Sequence, residues 1–387
     1  MKNFTYDIPT RVFFGTDSLD NLGKETGKYS TRVLIVYGSE RVRSSGLLDK
    51  VTNELKYNNI SFKEISGIKP NPTLESVRRG VGVIKENNLG FVLAVGGGSV
   101  IDAAKGMAAG AANNIDPWQF CINKEEVKNC LPIASILTLS ATGSEMNGNS
   151  VLSNTETGEK LYFGSQLCRP VFSILNPTLT YSVPKDQTAY GVADIFTHVT
   201  EQYFEPEEGA GISDRLSEGI LRACIQYGRK AIDNPRDYEA RANLMWASSL
   251  ALNNLISRGK SGGDWATHMI EHELSAAYDI SHGLGLAILL PNWMKNVLNG
   301  DTVNKLAVFA ENVWGIEMGD KLRQAETGIK ATRDFFSSLD IPSQLSEVNI
   351  DDSQIRYMAE QSVRFGEIGS FKKLKADDVE QILRMSL

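Results

Sequence analysis

The chain of 387 residues contains four histidines, and all of them lie between positions 198 and 282. Asp194 stands four residues before the first of them, His198. His268 and His272 repeat that spacing, and His282 completes a His-x3-His-x9-His run. A separation of four residues places two side chains on one face of a helix. Neutral imidazole is a common metal ligand, and an anionic carboxylate beside it suits a divalent cation such as Fe²⁺ or Zn²⁺. One isolated histidine is more often a packing residue; the Asp-x3-His pair and the histidine run together point to a metal centre. The four cysteines, Cys121, Cys130, Cys168 and Cys224, are scattered with no Cys-x-x-Cys pair. They read as reduced thiols, so the expected centre is built from imidazole and carboxylate, not thiolate.

A second cluster could bind phosphate. Gly96-Gly97-Gly98-Ser99 joins the apolar run Phe91–Val95 to an alanine-rich helical stretch over Val100–Ala111. Glycines let a backbone approach a phosphate closely, and a helix N-terminus offers free N–H groups. Ser99 is expected either to cap that helix or to bind a phosphate oxygen. The pattern is neither the GxGxxG fingerprint, whose third glycine would fall on Ile101, nor a GxxxxGK[ST] loop. A second polar turn, Ser140-Ala141-Thr142-Gly143-Ser144, follows the strand expected over Pro132–Leu139. Two such turns at strand ends suit ligand binding on an open α/β sheet.

The elements that must carry these residues differ between the two halves. Val33–Tyr37 and Phe91–Val95 are continuous apolar runs, as expected of parallel strands buried on both faces. Further strands are expected near Ser61–Ile65, Pro132–Leu139 and Val171–Leu175, with helices near Gly46–Tyr57 and Leu74–Asn87 between them. Alternating strands and helices predict a doubly wound parallel sheet over residues 1–183. Residues 184–387 read as all-helical, with helices near Gln187–Tyr203, Ile212–Ile232 and Tyr238–Ser257 and a break at Asn234-Pro235. The expectation is an α/β dinucleotide-binding domain followed by an all-α metal-binding domain. Net charge is −7 with no long basic block, which argues against nucleic acid or anionic membrane as a partner. No apolar run suits a membrane span and the start lacks a signal-peptide pattern, so a cytoplasmic location is expected.

Taken together, four motifs resemble the iron-containing (group III) alcohol dehydrogenase family over essentially the whole chain. They are Gly96-Gly97-Gly98-Ser99-x-x-Asp102-x-x-Lys105, Ala141-Thr142-Gly143-Ser144-Glu145, Gly191-Val192-Ala193-Asp194-x3-His198-x-x-Glu201, and His268-x3-His272-x9-His282-Gly283. The stretches Tyr238–Ser248 and Glu271–Ala276 are most similar to its NADPH-dependent butanol dehydrogenases and broad-range aldehyde reductases. The resemblance implies that Asp194, His198, His268 and His282 bind Fe²⁺ or Zn²⁺. It places His272 beside the metal as a candidate proton relay. It assigns the cofactor diphosphate to Gly97, Gly98 and Ser99, with Asp102, Thr138 and Thr142 lining the cofactor site. It also implies a homodimer and a small aldehyde or alcohol substrate of the butanal/butanol kind.

Family members that prefer NAD tend to carry an aspartate at the end of the first strand; here Gly38 stands there, followed by Ser39, Glu40, Arg41, Val42 and Arg43. No carboxylate at Gly38 would repel a 2′-phosphate, and Arg41 and Arg43 could pair with it, so NADP is expected, with NAD possible. Trp246, Trp265 and Trp293 are candidates for walling an apolar substrate pocket. Two other readings compete. The same scaffold could act on a polyol, as a glycerol dehydrogenase does. His268-Met269-Ile270-Glu271-His272 also matches the H-x-x-E-H zinc peptidase pattern, with Glu271 activating water, but that reading leaves the glycine turn and Asp194/His198 unexplained.

Overall fold

The structure, a computed structural model, describes residues 1–206 and 209–387. It divides into two compact units, Asp7–Val183 and Pro184–Leu387, the latter joined by Met1–Tyr6. The first six residues were expected with the α/β segment. They belong instead to the helical unit, where the Lys2 backbone N–H donates to the Gly259 carbonyl at 2.9 Å and its ammonium to Ser261 Oγ at 2.5 Å.

The α/β unit is built on β1 (Arg11–Phe14), β2 (Arg32–Tyr37), β3 (Ser61–Ile65), β4 (Phe91–Gly96), β5 (Ile133–Leu137) and β8 (Phe172–Leu175). These form one six-stranded sheet in the order β1-β8-β5-β4-β2-β3, with every pairing parallel. The apolar runs explain the centre of the sheet: β4, β5 and β8 are buried along their whole length. Helices α1 (Leu47–Tyr57), α2 (Leu74–Asn87) and α3 (Gly98–Asn113) link or follow these strands. A separate antiparallel hairpin, β6 (Asn149–Asn154) with β7 (Glu159–Gly164), was not anticipated, nor was β1. Strand β1 has only four residues and is partly exposed, so it carries little apolar signal.

Strand order reverses direction between β2 and β4, which pair with Tyr37 opposite Val95. Strand β5 lies on the other side of β4, with Leu137 opposite Gly96. The C-terminal ends of β2, β4 and β5 are therefore level. Gly38, the Gly96–Ser99 turn and Thr138 all lie along this one edge of the sheet, at the topological switch point where such sheets bind dinucleotides.

The helical unit is organised around α4 (Lys185–Tyr203), which is buried on nearly every side from Thr188 onwards. Such a helix is a core element, not a surface one. Around it lie α5 (Gly211–Asp233), α6 (Tyr238–Ala251), α7 (Ala266–Tyr278), α8 (His282–Val297), α9 (Val303–Trp314) and α10 (Lys321–Ser338). Phe196 on α4 packs against Phe309, Trp314, Phe335 and Phe336, with ring centroids 5.5–6.5 Å apart. The helix expected to run to Ser257 stops at Ala251. From Leu252 the chain leaves the helix, and Asn254 adopts a left-handed conformation with φ 74°.

Candidate metal centre and cofactor turn

Helix α4 presents Asp194, His198 and Glu201 at steps of four and three residues, which is one face of a helix, and Glu205 follows just beyond its C-terminal end. All four are buried. Helix α7 does the same with His268, Glu271, His272 and Ser275. His282 opens α8, and Gly283 explains why that helix can begin there. A Cβ on Gly283 would come within 2.1 Å of the Tyr190 carbonyl oxygen, so only glycine lets the start of α8 lie against α4.

These helices bring Asp194, His268 and His282 together, with one ligand atom from each lying within 4.8 Å of the others. His268 Nε2 is 4.0 Å and His282 Nε2 3.8 Å from Asp194 Oδ1. His198 stands outside that three-residue group, but its Nδ1 is 3.1 Å from the same Asp194 oxygen and its ring lies 4.5 Å from that of His268. His272 is half-buried, with its ring 5.8 Å from that of His282. It falls in a second group with Glu271 and His282.

Three buried atoms in this cluster, Asp194 Oδ1, His198 Nδ1 and His268 Nε2, make no well-directed hydrogen bond among the described residues, although the first two stand 3.1 Å apart. Leaving one such atom unsatisfied is costly, so three that converge on one point need an explanation. A divalent cation supplies it, because each of these atoms can offer a lone pair. Burial raises the pKa of Asp194, but His198, His282 and His268 outweigh it and hold the carboxyl below its ordinary value. The ligand oxygen is thus anionic at neutral pH.

Two carboxylates outside the expected ligand set orient the imidazoles. Glu201, fully buried, pairs with His268 Nδ1 and accepts the Thr267 backbone N–H at 2.6 Å. Glu271, also fully buried, pairs with His282 Nδ1 and accepts from Ser275 Oγ. A proton held on Nδ1 leaves the Nε2 lone pair facing Asp194. Burial lowers the pKa of His268, yet Glu201 and then Asp194 raise it above the ordinary value. The sequence reading missed both roles, although Glu201 and Glu271 lie three residues after His198 and His268 on the same helix faces. Glu271 cannot serve as the base of a zinc peptidase, since its carboxylate is committed to His282 and Ser275.

Glu201 and Glu205 also fix the loop that leads into α7. Glu205 accepts the backbone N–H groups of Ser261 and Gly263 at 3.0 and 3.2 Å, while the Asp264 N–H reaches the Glu201 carbonyl at 2.7 Å. Of the three candidate tryptophans, Trp293 is a core residue, fully buried between Phe204 and Phe371. Trp246 is largely exposed on α6. Only Trp265 touches the imidazoles, 5.3 Å from His268 and 6.2 Å from His198 between ring centroids.

In the α/β unit the two polar turns meet. A Cβ on Gly98 would lie 2.3 Å from Thr142 Oγ1, so glycine is required for that contact. The expectation that Ser99 caps the helix is not met: α3 begins at Gly98, its cap is Gly97, and no side chain caps it. Ser99 sits inside the first turn because the glycines themselves supply the extended backbone of the cap. Asp102 faces inward, accepting Ser144 Oγ at 2.5 Å and the Val151 N–H at 3.0 Å. Lys105, fully buried, donates to Ser144 Oγ, Asn147 Oδ1 and the Asn149 carbonyl at 2.7, 3.0 and 2.7 Å. Burial pulls its ammonium down to about 8. At the end of β2, Ser39 and Arg41 are exposed. Arg43, also exposed, donates to Tyr37 Oη at 2.7 Å and Glu64 at 3.0 Å.

A parallel sheet with a glycine turn at its switch point suits a dinucleotide, and a helical unit bearing an imidazole–carboxylate cluster suits a divalent cation. Residues 9–177 match the family described as iron-containing alcohol dehydrogenase, and residues 188–387 match the C-terminal region of the same family. The chain is 51% identical to NADH-dependent butanol dehydrogenase A of Clostridium acetobutylicum, over the full length of both. It is 42% identical to the NADPH-dependent aldehyde reductase YqhD of Escherichia coli, over 92% of this chain and 91% of that one. The crystal structure of NADH-dependent butanol dehydrogenase A from Thermotoga maritima superposes with a TM-score of 0.96 at 37% identity, covering 100% of this chain and 99% of the other. The chain belongs to the iron-containing alcohol dehydrogenase family. It is an enzyme, an alcohol dehydrogenase or aldehyde reductase that uses a nicotinamide cofactor and a divalent metal.

Proposed function

We propose that the enzyme reduces small aliphatic aldehydes such as butanal, and runs the reverse oxidation, with the metal held by Asp194, His198, His268 and His282. The observation that carries this reading is the convergence of ligand atoms of Asp194, His198, His268 and His282, three of them buried without a well-directed hydrogen bond. When bound, a divalent cation there polarises a carbonyl and stabilises the negative charge that develops as hydride arrives. The chain's own contribution is orientation and proton supply. Glu201 and Glu271 keep the protons of His268 and His282 on Nδ1, and Asp194 stays ionised. His272 is assigned the proton relay, because it stands beside His282 without joining the Asp194 group.

For the cofactor, Gly97, Gly98 and Ser99 are assigned to the diphosphate, with Thr138 and Thr142 at its flank. Asp102 acts from behind by holding Ser144. Gly38, Ser39 and Arg41 face the adenosine end. With Arg43 engaged by Glu64, selection for NADP rests on Arg41 and on the missing carboxylate at Gly38. The similar proteins named above include both NADH- and NADPH-dependent enzymes. A homodimer in the cytoplasm completes the proposal; four free cysteines suit a reducing compartment. No helix among the described residues is long and apolar enough to cross a membrane.

The test is oxidation of NADH and NADPH with butanal, using metal-stripped enzyme refilled with Fe²⁺ or Zn²⁺. Turnover restored only by the metal is the expected result. Stripped enzyme that turns over as fast as refilled enzyme, or refilled enzyme that reduces no aldehyde, refutes the proposal.

A further inference from the structure

Among the described residues, Trp265 is the one bulky side chain carried on a left-handed backbone. Its φ is 63° and its ψ 7°, in the left-handed region. Every other non-glycine residue with positive φ among the described residues is Asn or Asp: Asn59, Asn71, Asn88, Asn114, Asn123, Asn254, Asp279, Asp340 and Asn349. Asn and Asp visit this region at low cost, whereas a bulky side chain there is strained. Such strain persists only where the surroundings enforce it, and it gathers at functional sites.

The surroundings here are built to hold this indole. Gly262 and Gly263 precede it with φ values of 117° and 103°, which side chains rarely adopt. Trp265 Nε1–H donates to the Gly262 carbonyl at 2.6 Å. A Cβ on Gly263 would come within 2.8 Å of Nε1 and 2.9 Å of the Glu201 carbonyl oxygen, so glycine is needed for the loop to pass between indole and α4. Glu205 clamps the same loop from below through Ser261 and Gly263. The ring this produces lies edge-on against His198 and His268, and the residue as a whole is only half-buried.

We propose that Trp265 is a specificity-determining residue of the metal centre: its indole is a fixed apolar wall over His198 and His268 that excludes water and favours alkyl over hydroxylated aldehydes. The inference rests on the aldehyde-reductase reading above and deepens it by naming what separates butanal from polyol-type substrates. The indole N–H is already spent on Gly262, so the wall offers a substrate hydroxyl no donor. A hydroxyl packed against it would lose its water without gaining a partner.

Two variants test this. Trp265→Asn suits the left-handed backbone and opens the wall; Trp265→Phe keeps an apolar ring. For each, kcat and KM are measured with butanal and with glyceraldehyde, alongside bound metal. Trp265→Asn is expected to keep its metal and lose discrimination: the ratio of kcat/KM for butanal to that for glyceraldehyde falls about tenfold or more, chiefly through KM for butanal. Trp265→Phe restores most of the ratio. Independently of turnover, Co²⁺ added to stripped wild type should quench tryptophan fluorescence, and Trp265→Phe should remove most of that quenching. An unchanged substrate ratio in Trp265→Asn, with wild type active on butanal, overturns this proposal alone. Full quenching retained in Trp265→Phe also overturns it, by showing that Trp265 does not stand at the metal. A wild type that reduces neither aldehyde, once metal and cofactor are bound, overturns the parent reading and this one with it.

Discussion

Replacing Glu201 by Gln changes one atom in a fully buried group and should weaken metal binding from a distance. The carboxylate serves two donors at once, the Thr267 N–H at 2.6 Å and His268 Nδ1. An amide has one acceptor oxygen and an NH₂ group, so it cannot serve both. If the oxygen keeps Thr267, the NH₂ faces His268 Nδ1, and the ring is driven to carry its proton on Nε2. That is the atom 4.0 Å from Asp194 Oδ1, and once protonated it has no lone pair for a cation. If the oxygen keeps His268 instead, the Thr267 N–H is left buried without an acceptor, at a cost of about 1–3 kcal/mol. The first outcome should lower metal affinity about 10- to 100-fold, or about 1.4–2.7 kcal/mol, whereas the second would lower stability and leave the tautomer intact. The first is expected, because it keeps the buried backbone N–H paired. The assay is a titration of stripped protein with Zn²⁺ against a competing chelator, with circular dichroism to show that the variant is folded. The carboxylate acts through one ring, so Glu201→Gln should cost far less in a His268→Ala background. Affinity within about twofold of wild type, or full additivity of the two changes, would refute the tautomer argument.

Other outcomes follow from the same geometry. His282→Ala should lose more metal affinity than Glu201→Gln and abolish turnover in a folded chain, whereas His272→Ala should keep its metal and lose rate in a pH-dependent way. Metal analysis beside a pH–rate profile separates these, and metal loss in His272→Ala would move that residue into the ligand set. Arg41→Ala should weaken NADPH about tenfold or more, the worth of a charged hydrogen bond, and leave NADH unchanged. Equal effects on the two cofactors would show that Arg41 does not meet the 2′-phosphate. Asp264 is buried and accepts the N–H groups of Ala266, Ser370 and Phe371 at 3.1, 2.7 and 2.8 Å; burial, then Glu201, nevertheless push its pKa up to about 7. An unfolded aspartate titrates near about 3.9, so between these values the fold holds a proton the unfolded chain has released. Stability from this group is complete below the unfolded pKa and is lost as pH rises toward the folded one, by at most about 1.4 kcal/mol per pH unit. The stability of wild type minus that of Asp264→Asn, from denaturant midpoints, should therefore decline from pH 4 to 7 and level off above. A difference that rises over that range would contradict the assignment.

The sequence by itself determined the class of fold and the residue types of the centre. Continuous, β-branched apolar runs such as Val33–Tyr37 and Phe91–Val95, ending at glycine, read as strands buried on both faces, and helical spacing put Asp194 with His198 and His268 with His272. Those are local signals, carried by period and by backbone chemistry. What stayed hidden depended on contacts between segments far apart in the chain. Lys2 joins the helical unit through Gly259 and Ser261, and Arg43 is taken up by Glu64; neither partner is legible from the residue itself. Ser99 lost its capping role because Gly97, not a side chain, shapes the start of the helix. Glu201 and Glu271 lay on the right helix faces in the sequence, yet a carboxylate three residues from a histidine is equally a solvated surface group. Only the packing of α4, α7 and α8 buries them and aims them at the imidazole nitrogens, since burial in a low-dielectric interior is what makes an acid–imidazole pair obligatory. Trp265 is the extreme case. Its type suggested no more than a wall, and its strained backbone, held by Gly262, Gly263 and Glu205, exists only in the folded chain.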